Sequence, residues 1–544
     1  MTALAPGRLP LGARLRGAAE PARRTKRAPW PLVVTGLVIA VAALLPLVYL
    51  VIRAAGVEGD VVAFLTRPRT LSAIGGSISL ALAVGVATVL LGVPVAWLTT
   101  RTDLPWRGGW AVLTAIPLAL PSYLVAFAFL GAFGPRGAVQ GMLEPLGVER
   151  LPSMTGLPAA VVVVSLVTFP YVTLATRAAL LRLDPAVEES ARLLGDGRMA
   201  TFRRVTLPAI APAMAAGALL AMLYALADFG AVSLLQTDTL SRAIYLQLGA
   251  SFDRALAAVL ALVLVALVLV LVVAEARMRH RSRAWRSGSR RRLPASERLG
   301  RWTVPSLIGL AVLVGLALAV PVVTVGWWLV RGVAQGQSLR LVGSVTVDTV
   351  AIGAAAALLA VVVALPVAAL GGRYRDRVGG IVNAAVLTGY ALPGIVVALA
   401  MVFLATRSVP FLYQTIALLI IVYAIRFAAQ PIGGLRAAMT GAPPSMEEAG
   451  RVLGDGPVRA FARLTMPYLR PSLVAGAALV FLTVIKELPL ALLLSPVGFR
   501  TLATEVWDAA SAGFYARAAA PAALLLLVSV ASMSVLLRAE GDER

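Results

Sequence analysis

The sequence predicts an all-α polytopic membrane protein, with twelve transmembrane helices forming two parallel six-helix repeats. Three observations predict it: long apolar runs, a polar segment written twice, and basic residues gathered on one side of the apolar runs. The chain has 544 residues, of which 59% are hydrophobic and only 14% charged, with a mean hydropathy of +0.88. Soluble globular domains carry nearer a quarter charged residues. Runs such as WPLVVTGLVIAVAALLPLVYLVI from Trp30 and LAAVLALVLVALVLVLVVAEA from Leu256 are long enough to cross a hydrocarbon core of about 30 Å as helices.

Taken in order, the spans are expected near 30–52, 72–99, 109–133, 156–182, 212–236 and 255–276, then 303–329, 344–370, 379–404, 411–435, 471–495 and 517–538. The domains follow: a basic N-terminus (1–29), a first half (30–276), a basic linker (277–302), a second half (303–538) and a short tail (539–544). The first run is longer than the apolar core of a signal peptide and many spans follow it, so it reads as a retained helix.

The halves are related by sequence. GVPVAW from Gly92 answers ALPVAA from Ala364, and LPSYLVAFAF from Leu120 answers LPGIVVALAM from Leu392, both in one register. Farther on, EESARLLGDGRMATFRRVTLPAIAP from Glu188 answers EEAGRVLGDGPVRAFARLTMPYLRP from Glu447 without a gap, in a second register with a smaller offset. The difference falls between the third and fourth spans, where the first half has the longer loop. An even number of spans per half gives both units the same orientation, with a pathway between them.

The net charge of +23 is explained by topology and calls for no nucleic-acid partner. About 34 of the 49 basic residues lie on the side that contains the N-terminus, the linker and the two polar repeats, which the positive-inside rule assigns to the cytoplasm with both termini. The chain has no cysteine and one histidine, His280, which excludes disulfides and His/Cys metal clusters. No metal site is assigned.

Each polar repeat (184–210 and 443–469) reads as helix, turn, helix. Asp184 before Pro185 supplies a cap for the first copy, and Ser445-x-x-Glu448 has the spacing of a capping box in the second. Gly-Asp-Gly at 195–197 and 454–456 ends each short helix. Phe202, Val205 and Leu207, or Phe461, Leu464 and Met466, then share a face, and Pro208 and Pro467 are expected to interrupt the chain before the next span. Two like docking elements on a two-fold body suit a two-fold cytoplasmic partner.

The segments E-S-A-R-L-L-G-x9-V-T-L-P from Glu189 and E-A-G-R-V-L-G-x9-L-T-M-P from Glu448 resemble the EAA motif of permease subunits in binding-protein-dependent ABC importers. Ser190 and Gly450 replace alanine, Val205 and Leu464 replace isoleucine, and Met466 replaces leucine, with the spacing intact. The resemblance implies a type I importer fold in a bacterial cytoplasmic membrane, surrounded by lipid. It also implies that Glu189, Ala191, Gly195, Leu207 and Pro208, with Glu448, Ala449, Gly454, Met466 and Pro467, couple the chain to two copies of an ABC ATPase subunit. ATP and magnesium then belong to that subunit, and this chain holds no cofactor and catalyses nothing itself. Its only lysines, Lys26 and Lys486, lack the context of a phosphate-binding loop.

Ionisable residues inside spans are costly and therefore candidate pathway or gate residues. They are Asp228, Arg426, Lys486 and Glu487, with Asp228 and Glu487 at matching places in the two halves. LADFG and KELPLALLLSPVGFRTLATEVW are similar to segments of fused ferric iron permeases, which implies ferric iron delivered by an extracytoplasmic binding protein. Thiamine, phosphonate or spermidine/putrescine permeases are further relatives of the same kind. A secondary transporter driven by an ion gradient is the reading from another class, with Asp228 and Glu487 as its coupling acids. The motif reading predicts that bulky residues at Gly195 and Gly454 together uncouple transport while the protein stays in the membrane. Uptake at matched expression checks this, and normal uptake by the double variant contradicts it.

Overall fold

A computed structural model describes residues 28–541 except 59, 135–136, 145–146, 148–150, 251–254, 285–295, 338–339 and 375–376. Most of the basic N-terminus, much of the linker and the end of the tail thus lie outside the described residues. Among the described residues, nine helices are long and apolar enough to span a membrane: Trp30–Ala55, Pro68–Arg101, Ser122–Gln140, Gly156–Leu180, Arg198–Ala227, Ala255–Met278, Gly300–Ala334, Val342–Tyr374 and Pro457–Val484. Two bent pairs, Arg377–Ala391 with Gly394–Ser408 (101°) and Ile416–Phe427 with Ala429–Gly441 (51°), raise the number to eleven. With the helix Tyr515–Gly541, they occupy the twelve positions read from the sequence.

The spans are less regular than their hydropathy suggests. The third is broken into Arg107–Leu113, a 3₁₀ turn Ile116–Ala119 and Ser122–Phe133, because Pro117 and Pro121 withdraw two N–H donors. The fifth stops at Ala227 and the eleventh at Val484, each followed by a turn and a shorter helix, Gly230–Leu234 and Pro489–Leu494. Two further short helices, Leu240–Ala250 and Leu502–Ser511, lie in stretches that carried no expected element.

Pro208 and Pro467 do not interrupt the chain as expected. A π-helical turn precedes each, Phe202–Thr206 and Phe461–Thr465, and the helix continues through the proline. Widening the turn lets the N–H of Leu207 reach the Phe202 carbonyl, and that of Met466 the Phe461 carbonyl. The proline ring thereby avoids the carbonyl it would strike in an α-helix.

The halves interlock. Trp30–Ala55 packs on the broken helix pair 377–408 of the second half, and Val320–Ala334 packs on Ser122–Phe133 of the first. The two crossings are fastened alike. Tyr49 Oη donates to the Phe403 carbonyl and Trp328 Nε1 to the Gly131 carbonyl, each at 3.1 Å. The two acceptors, Gly131 and Phe403, are counterparts in the register that pairs Gly92 with Ala364. A donor buried among apolar side chains needs such an acceptor, so each half's first span is bound to the other half. One continuous apolar core then runs through both.

Candidate functional site: coupling helices and an intramembrane charge cluster

The two polar repeats form short helices, Pro185–Leu193 and Pro444–Val452, on one face of the bundle. Asp184 caps the first, its Oδ1 accepting the Ala186 N–H at 3.0 Å. The second differs from expectation. Ser445 does not cap it, because the helix begins at Pro444 behind Pro443 with no side-chain cap, and two successive prolines already fix the backbone for helix entry. Both helices end at glycines with left-handed backbone, Gly195 at φ +98° and Gly454 at φ +93°, a conformation costly to a residue with a Cβ. The six apolar residues Phe202, Val205, Leu207, Phe461, Leu464 and Met466 are half-buried against the body, and Phe202 meets Trp97 edge to face at 5.2 Å.

A residue not singled out in the sequence holds each coupling helix. Glu188 accepts from Arg101 Nη1 at 3.1 Å and from Thr206 Oγ1 at 2.6 Å. In the second half Glu447 pairs with Arg373 and accepts from Thr465 Oγ1 at 2.6 Å. The arginines are counterparts in the first register and the glutamates and threonines in the second, the same two registers that relate the halves. Successive helical residues point about 100° apart, so Glu189 and Glu448 face outward and are exposed. Burial alone would raise the Glu447 carboxyl, but the Arg373 and Thr465 hydrogen bonds and the Arg373 charge bring it below its usual 4.5.

The outer surface of each coupling helix is apolar at its tip. Leu193 and Leu194 are 88% and 89% exposed, and Val452 and Leu453 are 87% and 86% exposed. These are four large aliphatic side chains left exposed in two symmetry-related pairs. The first helix has one extra tie: Arg192 Nη2 lies 2.5 Å from Glu297 Oε1, and Glu297 bridges the backbone at Thr102.

The intramembrane candidates gather where the broken spans of the halves meet. Asp228 Oδ1 accepts the N–H groups of Ala231 (2.9 Å) and Val232 (3.3 Å), and its other oxygen accepts the Ser122 hydroxyl. At the matching place in the second half Glu487 Oε1 accepts from Arg426 Nη1 at 2.9 Å, and Arg426 Nη2 donates to the Leu392 carbonyl at 3.1 Å. Ser122 is answered by Gly394 in the second half. A Cβ there would fall 2.5 Å from Glu487 Oε1 and 2.7 Å from Arg426 Nη1, so the ion pair requires the glycine. Lys486 Nζ crosses to the first half and donates to the Leu118 carbonyl at 3.2 Å. On the face away from the coupling helices, Phe229 stacks near Tyr245 (5.0 Å) and Trp507 (6.0 Å), closing an aromatic group across the halves. The short helices that carry Tyr245 and Trp507 are held alike, Leu240 N–H on Ser77 Oγ (2.8 Å) and Leu502 N–H on Thr349 Oγ1 (2.9 Å).

Two fused helical halves, each carrying a short polar-repeat helix and meeting at a charged break, have the build of a membrane permease. The chain belongs to the binding-protein-dependent transport system inner membrane component family, whose profile matches residues 92–283 and 360–539. Each match contains one coupling helix. Over 513 residues the chain is 29% identical to the Fe(3+)-transport system permease protein FbpB 2 of Haemophilus influenzae, covering 92% of this chain and 97% of that protein. It is 31% identical to the sulfate transport system permease protein CysW of Escherichia coli over 40% of this chain and 76% of that one. A bacterial alginate ABC transporter, solved with its pentasaccharide-bound periplasmic protein, aligns at 20% identity over 48% of this chain and 96% of the matched chain, with a TM-score of 0.39. The chain is therefore the permease subunit of a binding-protein-dependent importer, a multi-pass protein of the inner membrane, and the ion-gradient reading is set aside.

Removing one partner from each buried pair tests these ties. Glu188→Ala strands the buried Arg101 and costs about 3 kcal/mol of local stability, seen as faster amide hydrogen exchange over 185–193. Glu447→Ala costs about 1 kcal/mol over 444–452, because Arg373 is partly solvated. Glu189→Ala and Glu448→Ala leave both segments unchanged. The depressed Glu447 carboxyl stabilises its helix fully above pH 4.5 and loses that contribution as pH falls through its lower folded value. Within the membrane, Arg426→Leu destabilises the protein by about 3 kcal/mol, and adding Glu487→Leu restores most of it, as thermal unfolding in detergent would record.

Proposed function

We propose that this permease imports ferric iron, handed over by an extracytoplasmic binding protein and driven by ATP hydrolysis on two copies of a separate ATPase subunit. The observation that carries the substrate is the extent of the likeness. The iron permease matches through both halves and the linker between them, over 92% of this chain and 97% of its own length, whereas the sulfate permease matches over 40% of this chain and 76% of its own length.

In this reading the coupling helices and both termini face the cytoplasm. Leu193, Leu194, Val452 and Leu453 enter clefts on the ATPase dimer, and Glu189 and Glu448 meet its polar rim. ATP and magnesium are used by that dimer; Lys486, the one lysine in the membrane body, is committed to the Leu118 carbonyl and serves no phosphate. Closing of the dimer draws the coupling helices together. Because Glu188 and Glu447 bind them to the ends of the second and eighth spans, the halves rock about the pathway. Asp228, Arg426, Lys486 and Glu487 act as its gate: the Lys486 bond joins the halves and must break for the pathway to open. In this reading tight iron chelation belongs to the binding protein.

Reconstitution into proteoliposomes with the partner ATPase and candidate binding protein tests the reading. ATP-dependent uptake of radiolabelled ferric iron, abolished by Leu194→Asp with Leu453→Asp, is the expected result. Uptake of thiamine alone would keep the mechanism and refute iron.

A further inference from the structure

A cavity of about 200 Å³ lies between the first span and the second half. Its wall is apolar, formed by residues such as Pro46, Val397, Met401, Leu412 and Val422, with Arg426 the charged exception. Ile421, another lining residue, is 40% exposed on the outer surface of its helix, so the cavity opens toward the bilayer. The medium there is hydrocarbon, and an apolar recess is filled by acyl chains rather than by water.

The cavity runs from Leu412, at the membrane face away from the coupling helices, inward to Arg426. Two cations stand at the outer end. Arg53 is in the last turn of Trp30–Ala55 and lies over the Phe403 ring at 5.5 Å. Arg407 is exposed in the last turn of Gly394–Ser408, just before the lining residue Val409. Among the described residues neither is in an ion pair. At the inner end, Arg426 Nε has no hydrogen-bond partner. In the first half Phe129, the counterpart of Met401, is packed into the core at 3% exposure.

We propose that this cavity is a binding site for one anionic phospholipid of the leaflet away from the coupling helices. One acyl chain fills the recess between Pro46 and Met401 and ends beside the Arg426–Glu487 pair. The phosphate is held at the rim by Arg53 and Arg407, whose guanidinium groups suit its oxygens. Bound lipid thus supports the gate on one side only, since the first half supplies its own aromatic ring instead.

Native mass spectrometry of the full chain in detergent, titrated with phosphatidylglycerol or phosphatidylcholine, tests the proposal. Wild type is expected to retain one phosphatidylglycerol with about tenfold preference over phosphatidylcholine, undiminished by inorganic phosphate. Met401→Phe, which copies the first half, should retain neither lipid, while Arg53→Gln with Arg407→Gln should retain both without preference. Equal retention of the two lipids by wild type, an unchanged preference in the double variant, or displacement by inorganic phosphate would overturn it. Arg407 is exposed and Arg53 half-buried, and the double variant leaves the apolar wall intact, so the test stands even if Met401→Phe fails to elute as a monodisperse protein.

Discussion

A carboxylate drawn out of water must be met by charge and hydrogen bonds, and in each half of this permease one such carboxylate joins the docking surface to the membrane body. Glu188 lies between Arg101 and Thr206, and Glu447 between Arg373 and Thr465. The arginine ends one span and the threonine begins another, so a short helix that buries few side chains of its own is tied to two long ones. Without that tie the exposed leucines and valine at the tips would ride on a flexible loop, and closure of a partner would be absorbed locally. The π-helical turns contribute to the same joint. They carry Thr206 and Thr465 and leave the proline-containing helices continuous with the turns that hold the short helices.

Inside the membrane the two-fold relation is kept in place and broken in chemistry. Asp228 satisfies itself locally with Ser122 and two backbone N–H groups. Its counterpart Glu487 uses a guanidinium from another span, made possible by glycine at the position of the serine. Lys486 adds a bond between halves that has no equivalent, because alanine stands at the matching position, Ala227. Fusing the halves in one chain permits this asymmetry, since each half can specialise without a homodimer's constraint that every change appear twice.

Much of this was legible in the sequence. Hydropathy located the spans, and the two repeat registers located the coupling elements and their parallel orientation. The helix breaks were less visible, because Asp228 and Lys486-Glu487 lie in runs that are apolar on both sides. The identity of the anchoring glutamate was hidden for a different reason. The motif marks Glu189 and Glu448, and only helical phase decides that their neighbours Glu188 and Glu447 turn inward. Pairing the halves in both registers could have found it, since Arg101 matches Arg373 in one and Thr206 matches Thr465 in the other. Ser445 has the spacing of a cap for the second coupling helix, but the prolines before it set where the helix starts. The short helices with Tyr245 and Trp507 carry no span signal, because both stretches are too short and too polar to span.

The central claim is that Glu188 and Glu447 make the coupling helices rigid extensions of the membrane body. The chain contains no cysteine, so spin labels can be placed without altering the background. One pair, at Ala186 and Ser445, reports on the coupling helices; another, at Val62 and Val497, reports on the opposite face. Double electron–electron resonance on the reconstituted transporter, with and without ATP, should show both distances changing in an otherwise unaltered chain. With Glu188→Ala and Glu447→Ala the coupling pair should still move while the far pair stays fixed. A far pair that moves as fully without the two glutamates would contradict the account.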